Sequence, residues 1–171
     1  MSNSAAKSFR RDHDLDAIDL RILDALQGDA RMSRAEVARL VGLSTAAVHE
    51  RIRKLERAGV ILRYAALLDP EKAHCDLLAF VEVFIDSPTR EPAFLQAIGQ
   101  MPQVQECHRV TGAATCLLKV RVHDRHALHK LILDRINAMP GVRGTETVVV
   151  LSTTKETPRL HLAEAAEGTG D

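Results

Sequence analysis

Three observations predict an α+β chain built from two unlike halves. From Leu15 to Leu55 apolar residues recur at helical spacing, whereas from Leu77 to Leu151 they gather in short runs that read as strands. The second half also repeats itself, because Ala93 to Val104 aligns with Leu131 to Val142 and both end in Met-Pro-x-Val. The composition is globular: 46% hydrophobic and 27% charged residues in 171 exclude a disordered or fibrous chain.

The first half divides into three helices. Leu15, Ile18, Ile22, Leu23, Ala25 and Leu26 share one face of the first, with Asp16 as its N-cap and Gly28 as its stop. Ser33-Arg34-Ala35-Glu36 reads as a capping box, Ser33 accepting from the Glu36 amide while Glu36 reaches back. The helix it opens, Arg34 to Leu40, sets Val37, Leu40 and Val41 to one side and ends at Val41-Gly42-Leu43. Ser44 caps a third helix, Thr45 to Ala58, whose inward stripe is Val48, Ile52 and Leu55. Gly59 terminates it, and Val60-Ile61-Leu62 begins an extended stretch.

Two helices joined by a tight glycine-containing turn, the second polar on its outer face, form a helix-turn-helix. Ala38 is small where the helices cross, Gly42 permits the turn and Val48 anchors the second helix. A net charge of zero speaks against a nucleic-acid partner only until it is divided. Residues 1–70 carry 12 Lys+Arg against 10 Asp+Glu, and residues 71–171 carry 11 against 13. Five basic residues fall between His49 and Arg63. Ser44, Thr45, Ala46, Ala47 and His49 are the outward positions at the start of the third helix, with Glu50 farther on. Short side chains there admit the helix N-terminus to a major groove, where free amides and the helix dipole favour phosphate. Arg51, Arg53, Lys54 and Arg57 are placed for phosphates or a guanine edge. The partner predicted is double-stranded DNA; the alternative is a small helical bundle with a solvated basic face.

In the second half, apolar runs before each repeat complete two successive β-α-β units. The implied strands are about residues 77–85, 104–111, 114–122 and 145–152, with Gly112-Ala113 as a hairpin connection between the middle pair. The order βαββαβ is that of a ferredoxin-like sandwich, with both helices on one face of an antiparallel sheet. Such a sheet alternates apolar and polar residues when its other face meets water. Leu77 to Ile85 is apolar except at Glu82, and Thr147 to Leu151 is apolar after its first residue. Both faces therefore need cover, and a second subunit supplies it most economically, which predicts an obligate dimer. The alternative is that the first helix or the N-terminal domain folds over the open face.

Other functions find little support. The longest apolar stretch, Leu77 to Val81, is far short of the ~20 residues a membrane helix needs. Met1 to Arg11 lacks the apolar core of an export signal. No nucleophile elbow, phosphate loop or paired-histidine zinc motif occurs, so no enzyme, cofactor or metal is expected. His123, His126 and His129 read as a solvated helix face, and Cys107 and Cys116 as structural thiols on adjacent strands, with Cys75 the more reactive. No tryptophan and only 3% aromatic residues exclude affinity by stacking.

The chain as a whole resembles the Lrp/AsnC family of transcription regulators. The matching stretches include Leu15 to Asp19, Leu43-Ser44, Arg51 to Ile61, Tyr64 to Pro70, Met101 to His108, Thr111-Gly112 and Leu117 to Val120. Met139 to Val142, Thr145 to Thr147 and Lys155 to Thr157 complete the set, spanning about residues 14–162. The resemblance implies a C-terminal ligand-sensing domain of the type called RAM. It also implies cytoplasmic, nucleoid-associated regulators that pair through these sheets, assemble into octamers or other multiples of dimers, and hold amino acids or related metabolites between dimers. By that analogy the effector would meet Thr111, Gly112, Ala113, Ala114 and Thr115 in one turn, and Thr145 and Thr147 on the last strand. Many members carry Gly-Asp-x-Asp in that turn, whereas this chain has Gly112-Ala113-Ala114-Thr115. Since an unpaired buried ammonium is costly, the effector is expected to differ from leucine or to exert weak control. The implied division is a flexible tail at 1–13, a helix-turn-helix domain at 14–62, a linker strand or hinge at 63–76, an effector-binding and dimerisation domain at 77–162, and a flexible tail at 163–171. An architectural DNA-binding protein with little effector response is the alternative function.

Overall fold

The computed structural model describes residues 15–162, and the two expected tails, with Lys7, Arg10 and Arg11, lie outside them. The chain forms two compact units, residues 15–66 with 157–162, and residues 67–156.

The first unit holds α1 (Ala17–Gly28), α2 (Arg34–Val41) and α3 (Thr45–Arg57). Each begins where a short polar side chain replaces a missing intrahelical partner. Asp16 Oδ1 accepts from the Asp19 amide at 2.8 Å, Ser33 Oγ from Glu36 at 3.2 Å, and Ser44 Oγ from Ala47 at 3.2 Å. Glu36 returns the bond to the Ser33 amide at 2.7 Å, closing the capping box. Gly42, at φ +75°, makes the turn into α3, a conformation that a Cβ would strain. Ile22, Val37, Val48 and Ile52 are wholly buried where the three helices meet. Leu40, expected inward, is instead 51% exposed, because α2 meets the core with Val37, Ala38 and Val41. The stretch after α3 forms no strand. The Gly59 amide donates to Glu56 and the Val60 amide to Leu55, a glycine-ended helix stop that turns Val60 and Ile61 back onto the core.

Residues 157–162, which the sequence places at the end of the sheet domain, pack with this unit. Arg159 Nη2 lies 2.6 Å from Asp24 Oδ1, and Gln27 brackets the Leu160 backbone, accepting from its amide at 2.7 Å and donating to its carbonyl at 3.2 Å. Leu162 then packs against the helical core. Nor is the linker a strand. Asp69 Oδ1 accepts from the Glu71 and Lys72 amides at 3.0 and 3.2 Å, nucleating a turn that ends at Cys75.

The second unit is a four-stranded antiparallel sheet in the order β2-β3-β1-β4, which is the predicted βαββαβ topology. The strands are β1 (Leu77–Ile85), β2 (Val104–Arg109), β3 (Cys116–Val122) and β4 (Val142–Val149). Helix α4 (Glu91–Ile98) covers one face together with α5 (Arg125–Lys130), which continues as a π-helical turn over Leu131–Ile136. Ala79, Val81, Val83, Leu118 and Val120 form the core beneath them with Phe94, Leu131 and Ile136. β4 runs three residues earlier than predicted: it pairs with β1 directly after Gly141 and stops at Val149, opposite Ala79, the third residue of β1. The middle hairpin is also looser than predicted, with residues 110–115 forming its turn.

The opposite sheet face is partly covered by the chain itself. Residues after β4 cross it, and Glu156 is held by Lys119, with its Oε2 2.9 Å from Arg121 Nη2. They border an open hollow of about 400 Å³ lined by Leu78, Phe80, Lys119, Val150 and residues 152–156. The sequence suggests a partner subunit or the N-terminal half as cover, and gives no sign of this segment. Val148 and Leu151 nevertheless remain 65% and 98% exposed.

Candidate functional site

The outer face of α3 follows from the burial of its inner one. With Val48, Ile52 and Leu55 fixed inward, the helical period turns Thr45, Ala46, His49, Glu50, Arg53, Lys54 and Arg57 to solvent, and Ala47 is half-buried at the edge. Ser44, exposed, closes the helix start and leaves small side chains around it. Arg53 Nη1 lies 3.3 Å from Glu50 Oε1, an exposed pair one turn apart that water weakens. Lys54 and Arg57 make no ion pair among the described residues.

Arg51 is a correction. Expected at the groove, it turns the other way, placing Nη1 2.6 Å from Asp16 Oδ2 and 2.8 Å from Asp19 Oδ1. It braces α3 against the start of α1. Asp19 is buried by this contact, and the bonds it makes raise the guanidinium pKa. The Asp19 amide, followed by Arg51, holds the Asp16 carboxyl below the usual range. Only the recurrence of two acids three residues apart at the start of α1 hinted at a cationic partner elsewhere. A second network, unforeseen, links the Tyr64 hydroxyl to Glu56 at 2.9 Å, with Arg34 4.0 Å from the same oxygen.

The expected effector residues lie at one end of the sheet. In the β2–β3 turn, Thr111, Gly112 and Ala113 are exposed and Ala114 is buried, with Gly112 at φ +115°. Thr115 is already engaged: its amide donates to the Val83 carbonyl at 2.8 Å, and its Oγ1 accepts from the Ile85 amide at 3.1 Å. Thr145 and Thr147 pair with Val83 and Val81 on the far side of β1. Two strand spacings, about 10 Å, therefore separate the turn from Thr145. The turn and the threonines of β4 share an end of the sheet but do not converge within one chain.

Beside that turn stands a pair the sequence did not single out. Glu91, first residue of α4, is 7% exposed, and Arg109, last residue of β2, meets it with a guanidinium that is largely in water. The cysteines offer no competing chemistry at Cys116, which is wholly buried and whose thiol burial pushes up to about 11. Cys75 and Cys107 are exposed. No helix among the described residues is long and apolar enough to cross a membrane.

Comparison with known proteins agrees with both halves. A winged helix-turn-helix DNA-binding family model matches residues 15–61, and the Lrp/AsnC ligand binding domain matches residues 78–160. The chain is 42% identical over 149 residues to the leucine-responsive regulatory proteins of Klebsiella pneumoniae and Escherichia coli K12, covering 86% of this chain and 91% of each relative. Among solved structures, a transcriptional regulator of Neisseria meningitidis in complex with L-methionine matches with a TM-score of 0.84 at 32% identity, over 89% of this chain and 99% of that one. Escherichia coli AsnC matches with a TM-score of 0.79 at 28% identity, over 84% and 97%. The helix-turn-helix, the βαββαβ sheet unit and this similarity along nearly the whole chain make it a DNA-binding transcription regulator, not an enzyme, and a member of the Lrp/AsnC family.

Proposed function

We propose that the protein acts in the cytoplasm as a symmetric dimer that sets the α3 helices of its two subunits into successive major grooves of one duplex. The observation that carries this reading is the division of α3 into a wholly buried apolar stripe and an outer face of short and cationic side chains. Two such helices related by a two-fold axis meet half-sites ~34 Å apart or a multiple of it, so operators are imperfect inverted repeats. Exposed Val148 and Leu151 supply apolar surface for pairing between subunits, and further dimers assemble on longer DNA. An amino acid or related metabolite bound at the Thr111–Thr115 turn, with Thr145 and Thr147 completing the pocket from another subunit, shifts that assembly. The separation of turn and strand within one chain supports a site shared between chains.

Salt dependence tests the DNA face. Every phosphate that the protein no longer neutralises reduces the slope of log K against log salt by about 0.9. Arg53→Ala should weaken binding to an inverted-repeat operator and reduce the slope by about one ion per site. An unchanged slope removes Arg53 from the phosphate-binding set, and no duplex binding at low salt by the wild type overturns the reading.

A further inference from the structure

Asp19 and Glu91 are the only buried charged side chains among the described residues, and both stand in the first turn of a helix, where the dipole favours a carboxylate. Asp19 closes a capping box and anchors Arg51. Glu91 caps nothing: the residue before α4 is Arg90, with no side-chain cap bond. Its one partner is imperfect. Arg109 Nη2 donates to Oε2 at 3.0 Å, but Nε, 2.6 Å from Oε1, is out of line for a hydrogen bond. Oε1 is thus sealed from solvent without an aligned donor. Meanwhile the side chain of Glu91 is 9% exposed and that of Arg109 71%. Removing a carboxylate from water for a partner that stays in water costs desolvation and gains little. A buried polar atom without an aligned partner calls for an explanation, and a ligand that completes its bonding is one.

Position gives this pair its chemistry. Arg109 ends β2 directly before the 110–115 turn and stands opposite Cys116, the first residue of β3. The turn holds no carboxylate, and the buried carboxylate of this unit, Glu91, is paired with the residue that directly precedes the turn. An α-amino acid carries an ammonium and a carboxylate on one carbon. A carboxylate and a guanidinium held against each other offer the two complementary charges at matching separation. Arg109, mostly solvated, can swing aside without breaking the core.

We propose that Glu91 and Arg109 are the zwitterion-reading corner of the effector site: Glu91 Oε1 takes the ammonium group of a free α-amino acid and Arg109 takes its carboxylate. This rests on the effector reading above and names the group that stands in for the acidic residues missing from the turn. The corner explains how a turn of Gly112, Ala113 and Ala114 serves a charged ligand.

Calorimetric titration of the full chain with each of the twenty proteinogenic amino acids tests it, using wild type, Glu91→Gln and Arg109→Gln, with melting curves and operator binding confirming that each variant folds. For the tightest-binding amino acid, Glu91→Gln should weaken affinity roughly 10- to 100-fold, as expected for loss of a charged hydrogen bond in a sheltered site. Arg109→Gln, whose amide can still donate to the Glu91 carboxylate, should weaken it about 10-fold. The N-acetyl derivative of that amino acid should bind wild type and Glu91→Gln equally poorly. Tight binding retained within about twofold by both variants overturns the proposal and leaves the effector reading intact. No binding of any of the twenty to wild type overturns the effector reading, and the proposal with it.

Discussion

The two units finish their surfaces in opposite ways. In the helical unit the inward stripes of the three helices meet, and Ile22, Val37, Val48 and Ile52 see no solvent, so what α3 leaves outside is short or charged, although Leu40 and Leu62 elsewhere in the unit stay 51% and 87% exposed. In the sheet unit the face under α4 and α5 is as tightly closed, yet Val148 and Leu151 stand 65% and 98% exposed. A surface of exposed cations sacrifices little on meeting a phosphate backbone, because ion release drives that association. A surface of exposed valine and leucine gains only when another apolar surface covers it. Within one chain, α3 presents a surface suited to a phosphate backbone, whereas β4 and Leu151 beyond its end present apolar surface suited to another apolar one.

The sharpest test of that contrast is a pair of substitutions. Ile52→Ala empties a fully buried site and should cost about 2–5 kcal/mol of stability in urea unfolding, with DNA binding falling as the folded fraction falls. Val148→Asp, at a solvated position, should leave the fold of the single chain almost unchanged while converting dimers to monomers in sedimentation. A dimer that tolerates Val148→Asp unaltered removes the protein-facing half of the comparison.

The units also differ in how they are closed along the chain. The helical unit is completed by residues from the far end of the sequence, through Arg159 with Asp24, Leu160 with Gln27, and Leu162 on the core. Truncation after Glu156 should therefore destabilise the helical unit by about 2 kcal/mol, the sum of two or three modest hydrogen bonds and one half-buried leucine. The sheet unit, whose Glu156 contacts remain, should unfold as before. Destabilisation confined to the sheet unit, read by proteolysis of each half, would place the tail elsewhere.

What the sequence disclosed and what it concealed divide along the same line. The caps at Asp16, Ser33 and Ser44 bond to amides three residues away, so pattern and outcome lie in one window. The repeat ending at Val104 and Val142 marks where β2 and β4 start, although the apolar pattern, interrupted by Gly144, points to a β4 three residues later. Contacts across long separations left no local trace. Arg51 looks like Arg53 in the sequence, and only the packing of α3 on α1 turns one inward and leaves the other out. The Gln27–Leu160 and Glu91–Arg109 contacts join distant segments through side chains that are individually ordinary at their positions. Thr115 is legible as a turn residue but not as one whose hydroxyl is spent on the Ile85 amide.

Arg51 and Arg53 bring the contrast down to two residues of one helix. Arg51→Ala leaves Asp19, whose side chain is 10% exposed, without its counter-charge. Because Arg51 is itself about one-third exposed, solvent screens the pair, and the expected cost is about 1–2 kcal/mol, below the figure for a fully buried one. The acid side of the stability profile should change as well. Asp16 has its pKa lowered in the folded chain, so its contribution is present above the unfolded value of about 3.9 and disappears as pH falls through the lower folded value. Melting temperature measured from neutral pH down to pH 2 should then decline less steeply in Arg51→Ala than in wild type. The salt slope of operator binding should be the same in the two, whereas Arg53→Ala reduces it. A slope reduced equally by both substitutions would mean that Arg51 leaves Asp16 and Asp19 to reach phosphate, and that the inner and outer faces of α3 are not fixed by the fold.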